Sequence, residues 1–231
     1  MSRSIVLFSG GIDSTTALYW ALAKRDAVHA LTFDYGQRHK VEVRCARRIA
    51  RRLGVPQTVL RIDLKPIGGS ALTDRTIELP RYNTTGQIKA GPPATYVPFR
   101  NGILIALAAA WAETRGFDEI VCGFHIIDSP DYPDTRPEFV RAMERAVNAG
   151  TKAAWGKGKI TLAAPFVRMK KSEIIRLGFS LGADYSASVS CYAGDEHPCG
   201  VCSSCHLRRR AFAEAGAPDP QIQRLKKRGR Q

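Results

Sequence analysis

No apolar stretch of the 231-residue chain approaches the roughly 18–20 residues of a membrane-spanning helix. The longest, residues 103–112, is short and alanine-rich. The start of the chain lacks the pattern of a secretory leader: Ser2-Arg3-Ser4 runs directly into Ile5-Val6-Leu7-Phe8, and Gly10-Gly11 break that apolar run. The expectation is a cytoplasmic, reducing location, where cysteines serve as metal ligands or reactive groups before disulfides. No internal repeat or low-complexity tract is visible. Acidic residues are scarce, 21 against 35 Lys and Arg, for a formal charge of +14. What remains is a globular composition with 44% hydrophobic residues, long enough for one domain or a domain with an appendage. A chain of this size buries about 70% of its unfolded surface, so the six cysteines are not needed to rescue a small core.

The positive charge sits in two blocks. Residues 38–61 carry a net +7 and residues 206–231 a net +6, whereas residues 1–37 are neutral and residues 62–205 carry +1. The first block has the period of a helix: Val41, Cys45, Ile49 and Leu53 recur every fourth residue, and Gly54 stops it. Arg44, Arg47, Arg48, Arg51 and Arg52 fall on its other faces. The second block reads as a loose basic tail over residues 216–231. Neither block interleaves basic with aromatic residues as single-strand binders do. A solvated face and tail is the plain reading; a nucleic-acid or acidic protein partner is possible but not required.

Along the chain, short apolar runs alternate with helical segments. Strands are expected at residues 5–8, 28–33, 58–62, 119–122 and 160–163, with helices at 14–23, 41–53, 100–115, 137–149 and 171–177. Residues 65–98, rich in Gly and Pro, read as a long irregular stretch, either a lid or disordered. Strictly alternating elements imply an α/β fold, a Rossmann-like doubly wound parallel sheet with helices on both faces.

Two constellations carry chemistry. After the first strand stands Ser9-Gly10-Gly11-Ile12-Asp13-Ser14-Thr15-Thr16, leading into a helix. Paired glycines admit positive φ and close approach of the backbone. Free N–H groups and hydroxyls at the start of a helix suit an anion. The segment lacks the Lys of a Walker A loop and the spacing of a dinucleotide fingerprint. The bland reading is a tight turn with Ser14 as a cap. Near the other end, Cys191, Cys199, Cys202 and Cys205 are spaced C-x7-C-x2-C-x2-C, which suits four thiolates on a closed, structural zinc ion, one per chain. An iron–sulfur cluster and free thiols are the alternatives. His197 and His206 lie close by but are superfluous as ligands; Cys45 and Cys122 read as core residues.

The loop resembles the Ser-Gly-Gly-x-Asp-Ser pyrophosphate loop of the ATP pyrophosphatase (PP-loop) superfamily, whose members cleave ATP between the α and β phosphates and adenylate a carbonyl or carboxylate. Between loop and cysteines stand Phe33-Asp34-Tyr35-Gly36-Gln37-Arg38-His39, Val97-Pro98-Phe99-Arg100-Asn101, Tyr132-Pro133-Asp134-Thr135-Arg136-Pro137-Glu138-Phe139 and Ser190-Cys191-Tyr192. In this order the chain resembles the 7-cyano-7-deazaguanine synthase family of the queuosine pathway, from Ile5 to about Phe212. That resemblance implies an ATP-dependent carbon–nitrogen ligase acting on 7-carboxy-7-deazaguanine and ammonia, through adenylated carboxylate and amide intermediates, with ATP, magnesium and zinc bound, and commonly a homodimer. It implies a nucleotide domain with the substrate pocket at residues 1–185, a helical zinc-binding segment at 186–215, and the tail at 216–231.

By the same resemblance, Phe8, Ser9, Gly10, Gly11, Asp13, Ser14, Thr15 and Thr16 hold the nucleotide, with Asp13 also placed to help bind magnesium. Asp13, Ser14, His39, Arg100 and Lys171 are the candidate catalytic residues, with Glu173 beside Lys171. Asp34, Tyr35, Gln37, Arg100, Asn101, Asp128, Tyr132, Asp134 and Arg136 are the candidate substrate residues. The chain departs from the family pattern at Phe99, usually Gly or Ala; at Pro130-Asp131, usually Ser-Gly; and at Thr135, a common Cys. Phe99 and Asp131 are thereby expected to reshape substrate or ammonia entry. The competing reading is a synthase-like paralogue that transfers the adenylated deazapurine to an amine of a protein or nucleic acid. A tRNA-modifying relative and a non-enzymatic zinc module stand behind it, the former weakened by the lack of a cysteine pair placed for a persulfide.

Overall fold

The computed structural model describes residues 2–88, 91–127 and 132–228. Five strands, β1 (Arg3–Leu7), β2 (Ala27–Asp34), β3 (Gln57–Arg61), β4 (Glu119–Val121) and β5 (Thr161–Ala163), form one sheet in the order β3-β2-β1-β4-β5. Every pairing is parallel. Parallel strands need crossovers, and helices supply them: α1 (Ile12–Leu22), α2 (Val41–Arg52), α3 (Arg100–Arg115) and α4 (Pro137–Ala149). Further helices follow β5: α5 (Lys171–Ser180), α6 (Ser203–Ala215) and α7 (Pro220–Arg228).

The strand period of two decides which layer each side chain serves. Ile5, Leu31 and Ile120 face a core shared with Ala108, Trp111 and Ala112 of α3. Their sequence neighbours Val6, Ala30 and Val121 face the opposite core with Leu18, Ala46, Ile49 and Ile174, from α1, α2 and α5. The expected α/β class and doubly wound order therefore stand, with Cys45 and Cys122 fully buried in the interior. The order reverses between β1 and β4, so the carboxyl ends of these two strands open a crevice, the usual place for a ligand in such sheets.

Two expectations need correction. Residues 65–88 and 91–98 are irregular as expected, but they are neither a free lid nor disordered. Ser70, Ala71, Leu72, Thr95 and Val97 are buried, and backbone bonds tie Arg38 N–H to Leu72 O, Ala71 N–H to Ala94 O, and Tyr82 N–H to Val201 O, each at 2.8 Å. Periodicity cannot reveal such a segment, because its order comes from distant partners.

Of the C-terminal block, residues 206–215 lie in α6 and residues 220–228 form α7 rather than a loose tail. Asp219 accepts from Arg208 Nε at 2.6 Å and Nη2 at 2.8 Å, and from the Gln221 N–H at 2.9 Å. Gln221 donates to the Glu196 carbonyl, and Arg224 pairs with Glu196 at 3.2 Å. Glu196 also takes Arg48 of α2 at 2.9 Å, so one carboxylate joins the two basic blocks. The side chain of Arg208 is only 4% exposed, and a buried cation stripped of its partner costs about 3–5 kcal/mol. Asp219→Ala should lose that much stability, read as a lower urea midpoint at unchanged slope.

Candidate functional site

The crevice is a cavity of about 300 Å³, at the lower end of the size of small-molecule sites. The phosphate-type loop forms one wall. Gly10 has φ +83, and a Cβ there would stand 2.8 Å from Ala46 N. Only glycine lets α2 come this close. Val189 N–H donates to Gly10 O at 3.2 Å, so the C-terminal segment closes on the same turn. Ser9 and Ser14 hydroxyls lie 3.1 Å apart, Ser14 Oγ donates to Gly11 O, and Gly11 N–H donates to Ser9 Oγ. The Ser9 and Ser14 hydroxyls thus stand at the cavity beside the N-terminus of α1, the arrangement that favours anions.

A charged cluster sits on the loop itself. Lys171 Nζ donates to Asp13 Oδ2 at 2.6 Å and lies 3.4 Å from His125 Nε2, which is 3.5 Å from the same carboxylate oxygen. Asp13 Oδ1 is buried and has no hydrogen-bond partner among the described residues. Burial raises the Asp13 carboxyl, but the Lys171 ammonium and the His125 ring outweigh it and hold it well below the usual carboxylate range.

At the far wall, Arg100 at the start of α3 donates from Nη1 to the Tyr35 hydroxyl at 3.1 Å. Burial pushes the Tyr35 phenol up to about 12 despite the guanidinium. It therefore keeps its proton and can donate it to a ligand while accepting from Arg100. His39 bonds Glu42 at 3.1 Å, and Tyr132, Tyr192, Asn101 and Thr135 complete this end.

Of the residues singled out from sequence, Phe8, Ser9, Gly11, Asp13, Ser14, Tyr35, His39, Arg100, Asn101, Tyr132 and Lys171 border one cavity. Others stand behind it. Thr16 is buried, with its hydroxyl 2.7 Å from Tyr185 Oη, and the Thr15 hydroxyl is buried without a partner among the described residues. Gln37 spends its carboxamide on Tyr35 N–H, Phe33 O and Glu42. Asp34 lies 3.7 Å from Lys40. Asp134 accepts from the Asn101 N–H at 3.0 Å at the start of α3, and Arg136 is exposed ahead of α4. Glu173 accepts from the Lys170 N–H. Asp128 and Asp131 lie outside the described residues. Phe99 does not border the cavity. It takes φ 51 at the head of α3 and sets its ring edge-on to Phe139. A Cβ on Gly102 would meet the Phe99 ring at 2.4 Å.

Sequence reasoning missed Glu42 and His125. His125 had a usable signal, since it follows the carboxyl end of β4 at the sheet's reversal point. Glu42 had none, being hidden in a basic helix.

The four cysteines converge, with all Sγ atoms within 4.8 Å of one another. Thiolates on one tetrahedral zinc stand about 3.8 Å apart, from a Zn–S bond near 2.3 Å, and Cys199 and Cys205 are already at 4.0 Å. Cys199 N–H also donates to Cys191 Sγ at 3.3 Å. This donor set fits zinc. His206 turns its Nε2 to Tyr82 O at 2.8 Å instead.

Residues 3–216 match the family described as Queuosine biosynthesis protein QueC. The chain belongs to this family. It is 48% identical over 224 residues to a 7-cyano-7-deazaguanine synthase of Anaeromyxobacter sp., covering 95% of each chain. It is 45% identical over 225 residues to the protein of that name from Methylococcus capsulatus, covering 95% of this chain and 98% of that one. Two solved structures share the fold. A predicted subunit of tRNA methyltransferase from Methanocaldococcus jannaschii aligns with TM-score 0.50 and 16% identity, over 78% of this chain and 76% of that one. A 4-thiouridine synthetase–RNA complex with bound ATP aligns with TM-score 0.50 and 19% identity, over 97% of this chain and 53% of that one. No helix among the described residues is long and apolar enough to cross a membrane.

The Asp13 shift has a measurable sign. A carboxyl lowered in the folded state adds stability that is fully present above its unfolded value near 4 and is lost as the pH falls through the lowered folded value. The stability difference between the wild type and Asp13→Asn, followed by urea unfolding, should be constant from about pH 5 upward and shrink below about pH 4.

Proposed function

We propose that this QueC-family chain converts 7-carboxy-7-deazaguanine and ammonia to 7-cyano-7-deazaguanine with ATP, in queuosine biosynthesis. The observation that carries the reading is near-complete coverage, at 45–48% identity, of curated relatives bearing that enzyme's name, in a chain whose anion-type loop and cation cluster border one cavity. A carboxylate is a poor electrophile. Its oxygen attacks the α-phosphorus of ATP, pyrophosphate leaves, and ammonia then displaces AMP to give the amide. The amide oxygen attacks a second ATP, and loss of AMP leaves the nitrile.

The chain's own groups divide accordingly. Ser9, Gly10, Gly11, Ser14 and the first turn of α1 receive phosphate oxygens, with Lys171 supplying positive charge near the leaving pyrophosphate. Asp13 Oδ1, buried and without a partner among the described residues, suits a magnesium ion, which when bound would neutralise phosphate charge. Arg100, Asn101, Tyr35 and Tyr132 hold the deazapurine and its carboxylate. Cys191, Cys199, Cys202 and Cys205 hold a structural zinc that cross-links the segment bearing Tyr192 to α6. The division at residues 185 and 215, a cytoplasmic location and a homodimer belong to the same reading.

Purified protein given 7-carboxy-7-deazaguanine, ATP, magnesium and ammonium should yield the nitrile and AMP by mass spectrometry; a product that stalls at the amide, or is passed to a macromolecular amine, refutes the reading. Metal analysis should find about one zinc per chain, as four thiolates hold one ion. Cys202→Ser should lose it together with the cooperative thermal transition; iron in its place would overturn the assignment.

A further inference from the structure

His39 and Glu42 form a pair on the cavity wall. A carboxylate only accepts hydrogen bonds, so the ring nitrogen of His39 that faces Glu42 Oε2 at 3.1 Å carries the hydrogen. The tautomer is thereby set, and Nδ1 bears the lone pair. That Nδ1 is buried and has no hydrogen-bond partner among the described residues, in a ring that borders the cavity and is 5% exposed. A buried nitrogen left unpaired costs stability, so its retention beside a cavity points to a ligand.

The pair is held from several sides. Gln37 Nε2 donates to Glu42 Oε1 at 2.9 Å, and Gln37 Oε1 accepts from Tyr35 N–H at 2.7 Å. Tyr192 sets its ring 5.7 Å from His39. Gly194 presses against the chain at a point where a Cβ would stand 3.4 Å from His39 Cα. Burial raises the Glu42 carboxyl, but His39, Gln37 and Arg100 outweigh it, and the carboxyl lies below its ordinary range.

Other candidate proton acceptors on the cavity are occupied or otherwise assigned. Asp13 Oδ2 holds Lys171, and its Oδ1, without a partner among the described residues, is the atom given above to magnesium at the opposite end of the cavity. His125 Nδ1 donates to the Ile127 carbonyl at 3.2 Å, and its Nε2 faces Lys171 and Asp13. Both Glu42 oxygens are engaged.

We infer that His39 Nδ1 is the base that takes the proton from the incoming ammonia nucleophile, with Glu42 as the positioning residue that fixes its tautomer and balances the imidazolium. The inference deepens the function proposed above and rests on it. Ammonium gives one proton to Nδ1, the freed nitrogen pair forms the C–N bond to the carboxyl carbon of the adenylate, and the C–O bond breaks with its electrons leaving on AMP. Loss of one N–H proton to solvent leaves the neutral amide. The arrangement follows the logic by which a carboxylate orients a histidine base in acyl-transfer enzymes.

The test separates adenylation from amine attack in the full-length protein. Carboxylate-dependent exchange of labelled pyrophosphate into ATP reports the adenylate. Amide plus nitrile formed from ammonium reports attack. Hydroxylamine, which is unprotonated at neutral pH and needs no base to free its lone pair, reports capture without the base. In His39→Ala and His39→Gln, exchange and hydroxamate formation should stay within a few-fold of wild type, while ammonium-dependent product falls about 100- to 10,000-fold, the range of general-base catalysis. Glu42→Gln should show the same pattern with a smaller loss. Parallel loss of all three readouts in both His39 variants makes the residue structural and overturns the inference. So does an unchanged ammonium reaction. A wild type without carboxylate-dependent exchange would instead sink the function itself.

Discussion

Close approach of backbone around the first turn of α1 is the constraint on which the site depends. Gly10 lets α2 touch the loop from one side. From the other, a Cβ on Gly123 would stand 2.9 Å from the Asp13 carbonyl. Val189 closes the third side through Gly10 O. With no side chain able to intervene, the loop's N–H groups and hydroxyls are held by β1, α2, the end of β4 and the C-terminal segment together. An anion-binding turn works only when its dipoles are fixed in advance, and here the fixing is steric.

The cavity then separates charge. Lys171, Asp13 and His125 gather at the loop end, while Tyr35, Arg100, His39 and Glu42 gather at the other. Each carboxylate is matched by cations or donors, which is why both lie below the ordinary range despite burial. A chain of +14 therefore presents a balanced interior. Some of the excess is spent structurally. Arg48 and Arg224 share Glu196, and Arg52 pairs with Asp184.

The C-terminal segment is a wall of the site as well as the bearer of the four-cysteine cluster. Arg208 of α6 reaches Ser190 Oγ at 3.2 Å as well as Asp219, and Ser190 and Tyr192 border the cavity on either side of Cys191. Ordering the four thiolates therefore also orders the face that meets His39.

Much of this was legible in the linear chain. Apolar periodicity and Gly punctuation located all five strands and the first five helices, with α3 and α4 at their observed bounds, because those elements bury one face and their pattern is local. The Ser9–Thr16 loop and the spacing of Cys191, Cys199, Cys202 and Cys205 were legible for the same reason: a loop and a C-x2-C turn are built by neighbours in sequence. What only the tertiary structure decided is which polar groups meet. Residues 65–98 are held by partners far along the chain, α7 is ordered by a buried arginine, and Thr16 and Gln37 turn away from the cavity while Glu42 and His125 join it. These outcomes depend on burial and on hydrogen bonds across 158 residues between Lys171 and Asp13 and 169 between Thr16 and Tyr185, and no local pattern encodes a contact at that separation.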